Sequence, residues 1–171
     1  MNENSESVNG FKFLPPKLSA WIKTFIPDCF TGEIPFHKLS KPLSQARIAM
    51  VTSAGISLKS DTPFDMEREK TEPEWGDPTY RVIPRGTVAA DISVNHMHIN
   101  PSYILEDINV MLPLKRMEEF EKDGLVGELA PSSYSFYGFQ WKSLDFLETA
   151  IRPMIGQMKK EGTDAALLTP A

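Results

Sequence analysis

The sequence predicts an α/β fold with a mainly parallel sheet flanked by helices, and three observations lead there. The run "RIAMV" is continuously apolar from Ile48 to Val51, as in a strand covered on both faces. Leu144, Leu147, Ile151, Met154, Ile155 and Met158 keep the spacing of an amphipathic helix. Segments of strand and helix character alternate between and after these two.

Taken in order, "MNENSESVNG" predicts disorder, and residues 1–42 read as a partly disordered, irregular N-terminal arm with a short helix over Lys17 to Phe25. Residues 43–171 read as the α/β domain. Its first strand ends in the small-residue turn Thr52-Ser53-Ala54-Gly55. Residues 56–78 are polar and interrupted, predicting a long excursion over the sheet edge of the kind that is often functional. "YRVIP" (Tyr80 to Pro84) and "AADISVNHMHI" (Ala89 to Ile99) predict strands, "NPSYILED" a loop, and "INVMLP" a further strand or strand end.

Pro113 opens a helix over Leu114 to Asp123 that Gly124 closes. Leu114, Met117 and Phe120 line one side of it, and Glu118 with Lys122 form a solvent-side pair. "LVGELA" predicts a short strand and "PSSYSFYGF" an aromatic loop. The last helix spans Ser143 to Glu161 with a kink at Pro153. "DAALL" follows as a buried strand, and the order of elements suggests a flavodoxin/Rossmann-like layout. Many of the fourteen prolines mark the boundaries between these segments.

Composition narrows the function classes. The chain has 171 residues, 41% hydrophobic and 24% charged, which fits one soluble domain. A net charge of −5 with scattered basic residues argues against a nucleic-acid surface. No apolar run approaches the ~20 residues that span a bilayer, and the N-terminus lacks the charged and apolar regions of a secretory signal. The expectation is a cytoplasmic protein. A single cysteine, Cys29, has no internal disulfide partner.

Ligands of open α/β sheets bind where strands end, which directs attention to several residues. His96 and His98 in "NHMHIN" share a strand face by period two. Three readings stay open for them: metal ligands with Asp91 or Asp107, groups that bind a carboxylate or tune a nucleophile, or hydrogen-bonded structural residues. Asp107 and Asn109 could hold a substrate amine or cap a loop. Ser53 and the backbone of "TSAG" suit a carboxylate; neither phosphate-loop pattern is present. Arg81 and Arg85 could pair with a carboxylate or form surface salt bridges. The aromatic residues Tyr134, Phe136, Tyr137 and Phe139 read as packing or a subunit contact.

The ending "GTDAALLTPA" puts Ala171 where a strand-end loop should begin. The expectation is a chain cut short at its C-terminus, by a UGA codon read as stop, by a cloning boundary, or as a mature product whose strand edge a partner covers.

The collinear stretches "RIAMVTSAGISLKSDTPFD", "DPTYRVIPR", "HMHIN", "EDINVMLPLKRMEEFEKDGLVGELAPSSYSFYGF" and "EGTDAALLTPA" resemble the selenoprotein B family of glycine, sarcosine, betaine and D-proline reductases. The layout is most like that of the small D-proline reductase subunit. The resemblance implies reductive cleavage of a C–N bond in an amino-acid-type substrate by a selenocysteine or cysteine, expected just after Ala171 and absent here. It also implies other reductase subunits or a homo-oligomer as partners, and a pyruvoyl group on a partner polypeptide. Ser53, Arg81 and Asn109 are then substrate-binding candidates, and His96, His98 and Asp107 support the nucleophile. No cofactor or metal is assigned to this chain, and alone it is expected to be inactive. The other reading is a non-catalytic α/β module on the same scaffold that binds a small molecule or a protein.

Overall fold

The computed structural model describes residues 10–23, 37–72, 74–97, 99–140 and 143–171. The chain divides into two units, residues 1–38 and 39–171. In the first, a 3-10 turn (Gly10–Phe13) precedes helix α1 (Pro16–Lys23), whose first residue is the proline that a helix start accommodates. Of the helix expected over Lys17 to Phe25, the described residues show Pro16–Lys23. Thr24, Phe25, Cys29 and the N-terminal segment expected to be disordered, Gly10 excepted, lie outside the described residues.

The second unit is organised around β1 (Arg47–Thr52), buried at every position after the first. The remaining strands are β2 (Ile56–Leu58), β3 (Tyr80–Pro84), β4 (Ile92–Val94), β5 (Glu128–Leu129), β6 (Ser132–Phe136) and β7 (Ala165–Thr169). Ile48 pairs with both Leu129 and Ala165, and Val51 with both Tyr134 and Leu168. Strands β5 and β6 therefore follow one edge of β1, and β7 follows the other. All three run parallel to β1, while β3 closes the far side of β6 antiparallel. Among the described residues this sheet is mixed, with three parallel pairings and one antiparallel.

Several expectations are corrected here. "PSSYSFYGF" is not an aromatic loop, because Ser132–Phe136 form the interior strand β6. Its serines hid a period-two pattern in which Tyr134 and Phe136 take one face and Ser133 and Ser135 the other. The excursion begins at Lys59, since Ile56–Leu58 form β2 and pair antiparallel with β4 in a separate two-stranded sheet. The strand expected over Ala89 to Ile99 keeps only Ile92–Val94, so His96 lies beyond its end, and His98 is outside the described residues.

On the excursion, α2 (Met66–Thr71) is capped by the Asp65 carboxylate. Helix α3 (Ser102–Glu106) occupies the expected loop, and Ile108–Val110 form a 3-10 turn where a strand was expected. Asp107 accepts the Asn109 N–H at 3.0 Å, which turns the chain there. Helix α4 (Leu114–Lys122) buries Leu114 and Met117, while Glu118 faces Arg85 at 3.7 Å instead of pairing with Lys122. The last helix is α5 (Ser143–Phe146), a π-helical turn (Leu147–Ile151) and α6 (Arg152–Lys160). The Arg152 N–H reaches back to Leu147 O, a widened turn just before the Pro153 that lacks an N–H.

Alternate residues of β1 face two packed clusters. Ile48 and Met50 meet Ile104, Ile108, Leu112, Leu114 and Met117 from α3, α4 and the turn between them. Ala49 and Val51 meet Tyr134 and Met154 on the α6 side. Leu167 and Leu168, expected to be buried, are 40% and 70% exposed. The reason is position: among the described residues β7 pairs only with β1, so it is an edge strand.

Opposite the strand ends, charges fasten the sheet. Arg47 pairs with Glu128 at 2.7 Å, and Asp164 accepts from Lys41 Nζ and the Arg47 N–H, each at 2.8 Å. Those two donors hold the Asp164 carboxyl below its ordinary value of 3.8. A carboxyl lowered on folding stabilises above its unfolded pKa and loses that contribution as pH falls through the folded value. The thermal midpoint of Asp164→Asn should accordingly vary less with pH below 3.8 than that of the parent. Packing gives a second test. A Cβ on Gly127 would lie 2.4 Å from the Gln45 carbonyl carbon, whereas one on Gly156 in α6 meets nothing within 4 Å. In urea denaturation Gly127→Ala should cost about 1–3 kcal/mol, and Gly156→Ala should gain about 0.5–1 kcal/mol.

Candidate functional site

The C-terminal ends of β1, β6 and β7 meet at one end of the sheet, and the turn after β1 is built to stay there. Thr52 Oγ1 accepts the Ala54 N–H at 3.3 Å. The Gly55 N–H reaches Phe136 O at 3.0 Å, and the Ile56 N–H reaches Ser135 Oγ at 2.7 Å. Gly55 has φ +63°, and a Cβ there would stand 2.3 Å from Asn95 O, so both conformation and space require glycine. Asn95 is itself buried, with its Oδ1 accepting from Ser57 Oγ at 2.9 Å.

This turn presents Ser53, half-buried, to the end of β7. The Ser53 N–H reaches Thr169 O at 3.3 Å, and the Ala171 N–H donates to Ser53 Oγ at 2.9 Å. Thr169 Oγ1 in turn donates to Met111 O at 2.7 Å. Gly138, just after β6, packs closely on Ser53 and has no side chain of its own. A Cβ there would lie 2.9 Å from Ser53 O, 3.3 Å from Ser53 Cβ and 3.6 Å from His96 Nε2. Ser53 and His96 thus border one point at the strand ends. An apolar groove of about 510 Å³ adjoins it, between Ser53, Leu168 and Pro170 on one side and Met154, Ile155 and Met158 on the other.

Behind His96 the rings are layered. Its imidazole stacks on Tyr137 with centroids 5.2 Å apart and 28° between planes. Phe64 lies 6.3 Å from the same phenol ring, and the Arg81 guanidinium sits 4.2 Å above Phe64. The Tyr137 hydroxyl donates to the Glu69 carboxylate from α2. Burial, with the adjacent Glu69, pushes the Tyr137 phenol well above its ordinary value. The excursion therefore packs onto the site through Phe64 and Glu69.

Of the residues singled out in the sequence, Ser53 and His96 come together. His98 is outside the described residues. Asp107 accepts both the N–H and the Nδ2 of Asn109, at 3.0 and 2.7 Å, and these bonds hold its carboxyl below the ordinary value. Asn109 Oδ1 accepts the Lys115 N–H at 3.0 Å in the first turn of α4. Asp91 is exposed and accepts the Val88 N–H. Arg81 donates to Thr62 O, Thr79 Oγ1 and Tyr80 O at 2.7–2.9 Å, clamping the excursion. Arg85 pairs with Glu121. Among the described residues no three His, Cys, Asp or Glu cluster as a metal site would require. Nor is any helix among them long and apolar enough to cross a membrane.

Sequence reasoning missed Glu69 and Asn95. Glu69 sits in the wholly polar "MEREKT", where nothing in the spacing marks one acid as buried. Asn95 was read only as part of a strand.

Residues 23–171 match the family described as Glycine/sarcosine/betaine reductase selenoprotein B. D-proline reductase subunit gamma of Acetoanaerobium sticklandii is 33% identical over 131 residues, covering 77% of this chain and 51% of that protein. Betaine reductase complex component B subunit beta of Peptoclostridium acidaminophilum is 30% identical over 131 residues, covering 75% and 29%. Glycine reductase complex component B subunit gamma of Symbiobacterium thermophilum is 29% identical over 137 residues, covering 80% and 31%. The chain spans about half the length of the first of these and less than a third of the other two. No solved structure matches. On the match across residues 23–171, the chain belongs to the glycine/sarcosine/betaine reductase selenoprotein B family.

Proposed function

We propose that this chain forms the strand-end part of the active site in a multi-subunit, cytoplasmic reductase that cleaves a C–N bond in an amino-acid-type substrate. The observation that carries the reading is the convergence of Ser53 and His96 beside Gly138, at the ends of three parallel strands. The reaction class comes from the relatives, which are named as subunits of D-proline, betaine and glycine reductases.

The nucleophile of this reading is a selenocysteine or cysteine carried beyond Ala171, which when present supplies an electron-rich chalcogen able to displace an amine from carbon. A pyruvoyl group, for substrates with an N–H amine, would lie on a partner subunit and would supply a carbonyl to that amine. The residues of this chain fit the nucleophile. The Ala171 N–H is already bound to Ser53 Oγ, so a residue following it starts from the strand-end point bordered by His96.

Ser53 Oγ accepts from Ala171 and keeps its own hydroxyl proton to donate to a substrate carboxylate. His96 offers a ring nitrogen to the reacting anion or to the departing amine. Gly138, lacking a side chain, lets the end of β6 approach Ser53 and His96 this closely. Asn109 and Arg81 act at one remove, by capping α4 and clamping the excursion. The reaction is a two-electron reduction: the C–N bond becomes C–H and N–H, and a dithiol donor ends as a disulfide.

The test is turnover of glycine, sarcosine, betaine and D-proline, with a dithiol donor, by protein purified from its native host together with its subunits. Turnover of one of them is expected. Losing a hydrogen bond to a charged group costs about 1.5–3 kcal/mol, so Ser53→Ala should lower kcat/KM on the order of 10- to 100-fold, chiefly through KM. His96→Gln should act chiefly on kcat. Gly138→Ala puts a Cβ 2.9 Å from Ser53 O, displaces the Ser53 turn and should abolish turnover. Wild-type activity in all three variants, or no turnover of any of the four substrates, rejects the reading in favour of a binding module.

A further inference from the structure

Glu69 is the buried residue of α2, a helix whose Glu67, Arg68 and Lys70 face water. A carboxylate taken out of water costs free energy unless donors compensate it. A short surface helix that needed only to dock would bury an apolar side chain there. Among the groups that meet Glu69 is the hydroxyl of Tyr137, a ring 1% exposed. Tyr137 is thereby held at its hydroxyl end by Glu69 and along its ring by Phe64, while His96 lies stacked on it. Phe64 is itself 2% exposed and covered by the Arg81 guanidinium. A ring restrained at these points has one orientation, and an imidazole stacked on it takes its plane from it.

We propose that Tyr137, anchored by Glu69, is a positioning residue that fixes the plane of the His96 imidazole and holds its Nε2 beside Gly138 and Ser53. This rests on the reading of the strand ends as a reductase site, and it extends that site to a residue of the excursion. Nε2 comes within 3.6 Å of the point a Gly138 Cβ would occupy. A rotation of the imidazole about its Cβ would carry that nitrogen away from Ser53. Glu69 and Tyr137 touch no reacting atom; they act through His96.

Two readouts test it, on the protein purified with its subunits and on the labelled 171-residue chain. The first is kcat and KM. The second is the set of imidazole resonances of His96 in histidine-labelled protein, assigned with His96→Gln. Displacements of about 1 Å at a reacting group can cost on the order of a hundredfold in rate. Glu69→Ala and Tyr137→Phe should therefore lower kcat about 10- to 100-fold and leave KM unchanged. Both should shift and broaden the His96 signals. Glu69→Gln still accepts the phenol hydrogen and should restore both readouts. His96 signals that stay in place in Glu69→Ala and Tyr137→Phe overturn the proposal, whatever the turnover. Signals that move in a protein without reductase activity uphold the positioning and reject the reductase reading instead. Should Glu69→Ala fail to fold, Tyr137→Phe, which removes one oxygen from a ring that stays packed, decides the matter.

Discussion

A strand has two edges, and β1 uses both. Every other feature of the domain is placed relative to that fact. Parallel partners on each side fix where β6 and β7 end, and they end level with Thr52. The loops after them are consequently brought to one place, which is why Ser53, Gly138 and Ala171 meet although they are far apart in the chain. Because β1 is covered on both faces, its side chains need only be apolar and of the right size. The Arg47 and Asp164 bonds at the opposite end keep β5 and β7 from sliding along it.

What the sequence disclosed follows from this division. Strand β1 was legible because a doubly covered strand is a continuous apolar run, and the long C-terminal helix because its periodicity extends over several turns. Strand β6 was not. Its alternating serines and aromatics carry the composition of a loop, and its burial comes from lying between β1 and β3, a tertiary fact. Strand β7 misled in the opposite direction: "ALL" is apolar enough for a core, but its place at the edge leaves Leu168 largely exposed. Asp107 and Asn109 show a local choice overriding a pattern, since an Asx turn converted an apolar segment into a 3-10 turn.

Of the site, Ser53 and His96 were readable because a small-residue turn after a strand and a histidine near a strand end are local signals. Glu69 and Asn95 were unreadable because their significance lies in what they touch. Glu69 bonds a phenol 68 positions away, and Asn95 bonds Ser57 across two antiparallel strands. No window of neighbouring residues contains either relationship.

The two halves of the site differ in what holds them. The Ser53 side is fixed by main-chain bonds, from Gly55 to β6 and from Ser53 to β7, so its geometry belongs to the sheet itself. The His96 side is packed by side chains of a polar excursion, which buries Phe64, Glu69 and Asp77 among charged, solvated residues. Segments that rest on polar contacts near the surface open at lower free energy than core strands do. A ligand that gains from His96 in its stacked orientation therefore also favours the docked excursion, because the two states share the Glu69–Tyr137 bond. In the proposed site, ligand binding and the docking of the excursion are coupled through contacts that include the Glu69–Tyr137 hydrogen bond and the Phe64–Tyr137 ring contact, whereas the strand-end turn remains the same in either state.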